Sequence, residues 1–254
     1  LRISDIQLLA LSIAEEVMRP LTGTVFWTGI REFWYLTSQS VPEATRRHFE
    51  RKRQNVVVRG MPSKSYTAQG GILGTLFEAQ LAHREVVITY RKPNSPELSP
   101  ARTIHPYALA FYLGSIYVIA EDAEKNSMRT FKLDRVERAE RLDTFFLRDE
   151  SFDIQNYFQH TMSIFSGEGE RPVRMQIRLD PKVVSHVREQ PWHEDQEVIE
   201  RRDGRCTLVL PSVYPSEVIS KVLGYCGQAE ILTPKSCRQM VKQRLGKMLA
   251  QYKK

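Results

Sequence analysis

The sequence is poor in cysteine and has no long apolar run. Its 254 residues include three cysteines, Cys206, Cys226 and Cys237, and no CxxC pair. An odd number of cysteines without that spacing argues against a disulfide framework and a zinc site, so we expect three reduced thiols. The chain also lacks the run of about 18 apolar residues that a membrane-spanning helix needs, and no signal segment opens it. These absences predict a cytoplasmic protein with no membrane partner.

The signatures of several enzyme classes are also missing. The sequence contains no GxSxG, no HExxH, no P-loop and no GxGxxG after a strand. Its six histidines are scattered, and Pro191 between His186 and His193 prevents a shared helical face. Three acidic residues near His193 imitate a metal cluster: Glu194, Asp195 and Glu197. We interpret these residues as a charged loop ahead of a hairpin, which is the ordinary case. Together with the missing motifs, this predicts that the chain is not an enzyme and binds no metal or cofactor.

The composition is that of a globular protein with excess positive charge. Hydrophobic residues make up 41% and charged residues 26%, which are ordinary values. The length fits two or three compact units. A net charge of +7 and a pI near 9.3 attract polyanions, including nucleic acids and nucleotides. A merely basic protein has the same charge, so the excess becomes informative only at a located site.

The N-terminal region has the pattern of three helices. An apolar stripe behind a possible cap at Ser4 predicts a helix over residues 5–19, and aromatic residues predict a second over about 25–37. A third helix begins at Ser40. Its basic residues are Arg46, Arg47, Arg51, Lys52 and Arg53. With the valines at 56–58 it could form a winged helix-turn-helix, but a solvated basic face is the favoured interpretation because the middle helix is heavily aromatic.

The middle of the chain changes to short strands after one amphipathic helix. That helix is predicted over residues 72–81, and a strand follows at 86–90. Four further β-branched or aromatic runs occupy residues 102–112, 115–121, 128–134 and 136–145, with a bend near Asp134. One helix followed by five short strands predicts a small SH3-like or Sm-like β-barrel.

A second domain is predicted after a connector. Ser166, Gly167 and Gly169 mark the connector within residues 148–171. The elements predicted after it are a strand at 173–179, a helix started by Asp180 and Pro181, a hairpin over 197–210 turning at Asp203 and Gly204, a helix at 215–225, a strand at 230–232 and a last helix opened by Pro234. The whole chain is therefore predicted to have an α+β fold.

Three motifs in the middle region resemble those of the WYL domain, an Sm-like barrel found in bacterial transcription regulators. The motifs are RTIHPYALAF at 102–111, GSIYVIA at 114–120 and RTFKLDRV at 129–136. They look like the family's HPY element, its name-giving tripeptide and its RxFxLxRI strand. Because all three occur in the family's order and spacing, the resemblance is specific.

The name-giving tripeptide is the point where this chain departs from the family. Ile116 and Val118 stand where the family has Trp and Leu, and only Tyr117 is kept. Side chains alternate between the two faces of a strand. We therefore expect Ile116 and Val118 to lie together in the core and Tyr117 to face the other way.

The flanking regions extend the resemblance over nearly the whole chain. The tail from about 172 to 252 looks like the WCX domain, with the hairpin VIERRDGRCTLVL, a helix and the strand AEIL. The resemblance implies a helical connector and dimerisation region at 1–70, a WYL domain at 71–147, a linker at 148–171 and a ferredoxin-like WCX domain, an α/β sandwich, at 172–254. Because Leu1 stands in place of a methionine, we expect residues to precede this chain in the full protein, including a DNA-reading head.

Cationic and aromatic residues of the middle region form the candidate site. Arginine supplies fixed cationic forks for anions, and tyrosine or histidine supplies flat stacking surfaces. Strand alternation puts His105 and Tyr107 on one face, and Arg129 and Arg135 on one face of another strand. The resemblance implies a pocket for a nucleic-acid fragment or nucleotide lined by Tyr107, Tyr117, Arg129 and Arg135.

Other interpretations of these residues stay open. Arg129 and Arg135 can instead pair with Asp122 or Asp134. The tyrosines can be ordinary half-buried strand residues. For His105, a hydrogen-bonding role at the strand is as acceptable as a ligand role. Tyr90 is a weaker candidate of the same type.

Three functions remain at this point. The first is the sensor half of a homodimeric transcription regulator, in which an anionic effector changes the dimer geometry and so the binding of operator DNA. The second is a non-sensing assembly module whose apolar faces hold a dimer. Those faces surround Trp27, Phe33, Trp34, Leu245, Met248 and Leu249. The third is a DNA-binding winged helix over residues 5–58.

Overall fold

The computed structural model describes residues 3–43, 47, 65–93, 97–165, 169–201 and 204–252. The chain divides into two compact units, residues 1–149 and residues 150–254. Several residues of the third predicted helix, the valines at 56–58 and Asp203 lie outside the described residues, and the winged helix stays a prediction. So does the four-part division of the chain.

The first unit begins with two capped helices, as predicted. Helix α1 spans Asp5–Met18, and Ser4 and Gln7 form a reciprocal capping box at its start. A single 3₁₀ turn, Arg19–Leu21, follows. Helix α2 spans Val25–Gln39 and is capped by the Thr24 hydroxyl, which accepts from the Trp27 N–H.

The rest of the first unit is one helix followed by five strands, in the predicted order. Its elements are α3 (Gly70–Leu81), β1 (Arg84–Tyr90), β2 (Arg102–Tyr112), β3 (Ser115–Asp122), β4 (Ser127–Lys132), a 3₁₀ turn (Leu133–Arg135) and β5 (Val136–Phe145). The turn confirms the bend predicted near Asp134. The strands form an antiparallel sheet in the order β4-β3-β2-β1-β5. Among the described residues no ladder joins β4 to β5, so closure into an Sm-like barrel stays a prediction.

The core of this unit lies between α3 and one face of the sheet. Ile116 and Val118 are buried in it, as expected from strand alternation, together with Leu73, Phe131 and Leu133. Helix α2 contributes one ring to this core, because Phe26 makes edge contacts with Phe77 of α3 and Phe111 of β2.

The second unit has the ferredoxin-like order implied by the resemblance. Its elements are α4 (Ile154–Phe158), β6 (Val173–Leu179), α5 (Pro181–Glu189), β7 (Glu197–Glu200), β8 (Cys206–Val213), α6 (Pro215–Gly224), β9 (Ala229–Thr233) and α7 (Lys235–Gln251). The four strands form an antiparallel sheet in the order β7-β8-β6-β9. Together the two units confirm the predicted α+β class. No described helix has both the length and the apolarity needed to cross a membrane.

A close backbone contact attaches α2 to the start of α3. Gly23 has φ +89°, and a Cβ built on it would lie 2.4 Å from the Thr67 Cα. A Cβ on Gly70 would lie 2.4 Å from the Gly23 carbonyl oxygen. Only glycine fits both the backbone angle and the space here.

Substitution of Gly23 should therefore destabilise the first unit. We expect Gly23→Ala to lower the free energy of unfolding by about 1 to 3 kcal/mol, the usual cost of a strained backbone position. Gly29→Ala is the matched control, because Gly29 lies inside α2 with no heavy atom of the described residues within 4 Å of its Cβ position. It should be neutral or stabilising by about 0.5 to 1 kcal/mol. Urea unfolding followed by tryptophan fluorescence measures both; equal midpoints would contradict the close-contact argument.

Candidate functional site

The register between β3 and β4 places Tyr117 directly opposite Lys132. The Lys132 ammonium lies 6.0 Å from the centre of the Tyr117 ring, a cation–π arrangement. Burial raises the pKa of the Tyr117 hydroxyl, while a hydrogen bond with Ser115 and the nearby charge of Arg135 act in the opposite direction. The hydroxyl therefore stays protonated at neutral pH. Tyr117, Lys132 and Arg135 therefore lie close together. The resemblance implied Tyr117 and Arg135 as site residues, whereas Lys132 was not among them.

The 3₁₀ turn after β4 completes this group. Leu133 points into the core, while Asp134 is exposed and Arg135 is partly exposed. The Asp134 carboxylate lies 3.7 Å from the Lys132 ammonium. Among the ion pairs of the described residues, none involves Arg135. We call Ser115, Tyr117, Lys132, Asp134 and Arg135 the Tyr117 cluster; its formal charge is one positive unit.

Arg129 does not join the Tyr117 cluster. It stands opposite Ala120, three positions along the strands from the pair of Tyr117 and Lys132. Three positions reverse the face of the sheet and add about 10 Å. Instead the Arg129 Nε lies 3.7 Å from Asp122, which confirms the alternative pairing for this arginine. The single groove predicted for Arg129 and Tyr117 is therefore not formed, because simple alternation did not account for the strand register.

Asp122 holds a second arginine that sequence reasoning missed. The Asp122 side chain is 1% exposed, and Arg102 Nη1 lies 3.0 Å from its carboxylate. A buried carboxylate is costly unless it is paired, and two guanidinium groups share that pairing here. Arg102 precedes the predicted HPY element, but nothing in the sequence indicated which carboxylate it would reach. We assign this group a structural role.

His105 is held between two carboxylates. Its Nε2 lies 3.1 Å from Glu85 and its Nδ1 lies 3.1 Å from Glu121. Its ring stacks on Phe146 with a centroid distance of 4.8 Å and an interplanar angle of 2°. Both ring nitrogens are engaged, which agrees with the hydrogen-bonding interpretation of His105.

The other two predicted tyrosines also have partners within the fold. Tyr107 is 4% exposed, and its hydroxyl accepts from the Asp149 N–H at 3.1 Å while the Arg148 guanidinium lies 4.9 Å from its ring centre. The Tyr90 hydroxyl accepts from the Lys132 N–H at 3.2 Å. The buried Tyr107 ring therefore offers no open face for stacking a base, whereas Tyr90 is partly exposed. Tyr90 holds the backbone of Lys132, which belongs to the Tyr117 cluster.

Tyr66 is a further residue that sequence reasoning missed. It is completely buried, and its hydroxyl accepts from the Ile116 N–H at 3.0 Å and donates to Asp134 at 3.4 Å. Burial, above all, raises its pKa to about 12, and the charge of Asp134 acts in the same direction. A lone tyrosine in a polar stretch ahead of α3 carries no recognisable sequence signal.

The raised pKa of Tyr66 predicts a loss of stability in alkali. The unfolded tyrosine ionises near its ordinary pKa of 10.0, whereas the folded one has a pKa of about 12. The unfolded state then binds fewer protons, so stability is complete below about pH 10 and falls by up to about 2 to 3 kcal/mol as the pH rises to about 12. Urea unfolding between these pH values measures the slope. In the Tyr66→Phe variant the free energy of unfolding should fall less over this pH range, by about the same amount. A slope equal to that of the unaltered chain would contradict the raised pKa of Tyr66.

The second unit offers a groove rather than a metal centre. It has a volume of about 450 Å³ and is lined by Phe158, Thr161, Met162, Ser163, Pro191, Trp192, His193 and Glu194. Nδ1 of His193 accepts from the Asp195 N–H at 3.1 Å, and Nε2 lies 3.0 Å from the Gln159 carbonyl. Both ring nitrogens of His193 are therefore engaged with backbone groups of Gln159 and Asp195. Among the described residues, no three His, Cys, Asp or Glu side chains are grouped to hold a metal ion.

Family models match both units. The model of the WYL domain matches residues 71–141, and the model of the WCX domain matches residues 171–249. This chain contains a WYL domain followed by a WCX domain. The identification from the three motifs is confirmed.

Two solved structures are similar to the chain at low identity. Proteasome accessory factor B/C (PafBC) of Arthrobacter aurescens is 19% identical with a TM-score of 0.37, and the match covers 100% of this chain and 37% of that one. A CRISPR Cas-related protein is 13% identical with a TM-score of 0.46, and the match covers 71% of this chain and 51% of that one. This chain thus spans about a third to a half of their lengths. A comparison with curated proteins found no match.

Proposed function

We propose that this chain is the sensor part of a bacterial transcription regulator and that its WYL domain binds an anionic effector, a nucleotide or a short single-stranded nucleic acid. The observation that carries the proposal is the succession of a WYL and a WCX domain in one chain. The net charge of +7 supports a polyanionic effector. Effector binding is proposed to change the geometry of a homodimer and thereby the recognition of operator DNA.

The Tyr117 cluster is the proposed effector site. Lys132 brings a compact ammonium charge, and Arg135 brings a planar fork that matches the oxygens of a phosphate. The Lys132 side chain is 25% exposed, so it can reach a ligand from solvent. Tyr117 is 4% exposed and cannot stack on a base. Its role in this proposal is to hold the Lys132 ammonium over its ring.

Neutral substitutions in the cluster test the proposal. Lys132→Gln and Arg135→Gln should each weaken binding of a short labelled oligodeoxythymidylate by roughly 5- to 50-fold at low salt, since each removes one phosphate contact. The slope of log K against log salt should fall by about 0.7 for each lost contact on a single strand. Fluorescence anisotropy at several salt concentrations measures both quantities.

Arg138→Gln is the matched control for these variants. Arg138 lies on β5, is 74% exposed and pairs with Glu140 at 2.9 Å, so its loss changes the net charge equally without touching the cluster. It should change affinity less than about 2-fold. Equal losses in all three variants would indicate binding by overall charge. Absence of binding in the unaltered chain would refute the effector proposal.

An apolar stripe on α7 supports the homodimer within this proposal. Four side chains at helical spacing are 43% to 84% exposed: Leu245, Met248, Leu249 and Tyr252. Positions separated by three, four and seven residues lie on one face of a helix. A contiguous exposed apolar face of this type is typical of association surfaces. A non-sensing assembly module would use the same face, and the two functions differ only in effector binding.

A charge on this stripe should separate the homodimer. We expect Leu249→Glu to give a monomer in light scattering at micromolar concentration, since it buries an unpaired carboxylate in the interface. Gln243→Glu adds the same charge at the opposite side of α7 and should leave the dimer intact. A dimer in both variants would place the interface elsewhere; a monomeric unaltered chain would remove dimerisation from the proposal.

A further inference from the structure

Asp134 is shared by two groups of residues. Its Oδ2 lies 3.7 Å from the Lys132 ammonium, within the Tyr117 cluster. The same oxygen accepts from the Tyr66 hydroxyl at 3.4 Å, which is long for a hydrogen bond to a carboxylate. Any ligand that draws Lys132 away therefore also changes the surroundings of Tyr66.

Tyr66 is in turn bonded to the segment that leads into α2. Its backbone N–H donates to the Thr22 carbonyl at 2.6 Å, and Ser65 pairs with Thr22 as a parallel bridge. Thr22 and Gly23 lead directly to Thr24, the cap of α2. The buried hydroxyl thus connects the turn that contains Asp134 with the start of a helix outside the matched WYL residues.

We propose that Tyr66 and Asp134 transmit effector binding at Lys132 and Arg135 to helix α2. The inference rests on the proposed function, since it assumes that an anion binds the Tyr117 cluster. The bound anion attracts the Lys132 ammonium and repels the Asp134 carboxylate. Asp134 then turns from Lys132 toward the Tyr66 hydroxyl, and their hydrogen bond shortens.

The geometry leaves room for this change. Hydrogen bonds between a hydroxyl and a carboxylate are normally about 2.5 to 2.7 Å long, so the present distance can shorten by more than half an ångström. Because Tyr66 is fully buried, it cannot rearrange without moving its neighbours. The displacement reaches the Thr22 carbonyl through the Tyr66 backbone. Tyr66 acts here as a positioning residue and does not touch the effector.

Tryptophan positions provide a reporter for α2. Of the three tryptophans in the chain, Trp27 and Trp34 lie on α2, and Trp192 lies in the second unit. The Trp192→Phe variant therefore reports on α2 alone. The effector probe is a short oligodeoxythymidylate, and its binding is measured independently by anisotropy of a labelled copy.

The experiment compares binding with the fluorescence response in full-length variants. In Trp192→Phe we expect the emission of α2 to change and to saturate together with binding. Adding Tyr66→Phe should leave affinity within about 3-fold but remove most of the emission change, because the ring stays and only the hydroxyl is lost. Tyr157→Phe, on α4 of the second unit, is the matched control, because it removes a tyrosine hydroxyl outside the Tyr117 cluster and should keep the full response.

Asp134→Asn provides a second test, which does not rely on the Tyr66→Phe variant folding correctly. Removing the like charge should tighten binding of the oligonucleotide about 2- to 10-fold while removing the emission response, since the amide is not repelled by the anion. The gain in affinity follows from the lost negative charge beside Lys132 alone. The loss of the emission response despite tighter binding is the result that supports the proposed coupling.

Three results would overturn the inference. Binding without any emission change in Trp192→Phe would show that α2 does not sense the effector. An undiminished response in both the Tyr66→Phe and Asp134→Asn variants would show that another route carries it. No binding by anisotropy would refute the proposed function, and the coupling would fail with it.

Discussion

The antiparallel register of β3 against β4 sets Tyr117 opposite Lys132, and the arrangement of the candidate site depends on that pairing. It puts the ammonium over the ring and turns the preceding side chain, Phe131, into the core. The strand then ends at the 3₁₀ turn, which places Arg135 near the same ring. A shift by one residue would exchange the faces of every side chain on the strand.

Buried polar groups connect this site to the rest of the first unit. Tyr66 and Asp122 are both buried, and each has specific partners: Tyr66 bonds the Ile116 backbone, and the Oδ2 of Asp122 pairs with arginines. Such groups are costly when unpaired, so their partners are held in defined positions. Asp122 holds two arginines at one end of β3, whereas Tyr66 bonds the backbone at the other end. The two ends therefore have different chemistry: one is closed by ion pairs, and the other presents cations to solvent.

The second unit combines a ferredoxin-like sheet order with an exposed apolar stripe. Its sheet and helices enclose a core of apolar residues, while α7 keeps a stripe of large apolar side chains on its outer face. That stripe adds nothing to the core of its own unit. A partner surface is the ordinary physical reason for such a face, and the homodimer proposal follows from it.

The sequence by itself determined the helices and strands of the described residues and the succession of a WYL and a WCX domain. Apolar periodicity, the Ser4 cap and the turn near Asp134 predicted the helices and strands with small errors at their ends, because these signals act between neighbouring residues. Strand alternation also predicted that Ile116 and Val118 enter the core and that Tyr117 faces the other way, although Tyr117 is buried as well. Three motifs in order were enough to identify the WYL domain.

Only the tertiary structure decided which side chains meet. Arg129 and Arg135 have the same parity in the sequence, but the first lies beside Asp122 and the second near Tyr117. Tyr66 reaches Asp134 in the 3₁₀ turn from 68 positions away along the chain, and Lys132 lies over the ring of Tyr117 on the neighbouring strand. Register and long-range hydrogen bonds between distant segments leave no periodic trace in the sequence, since they depend on which strands become neighbours and on how those strands are aligned.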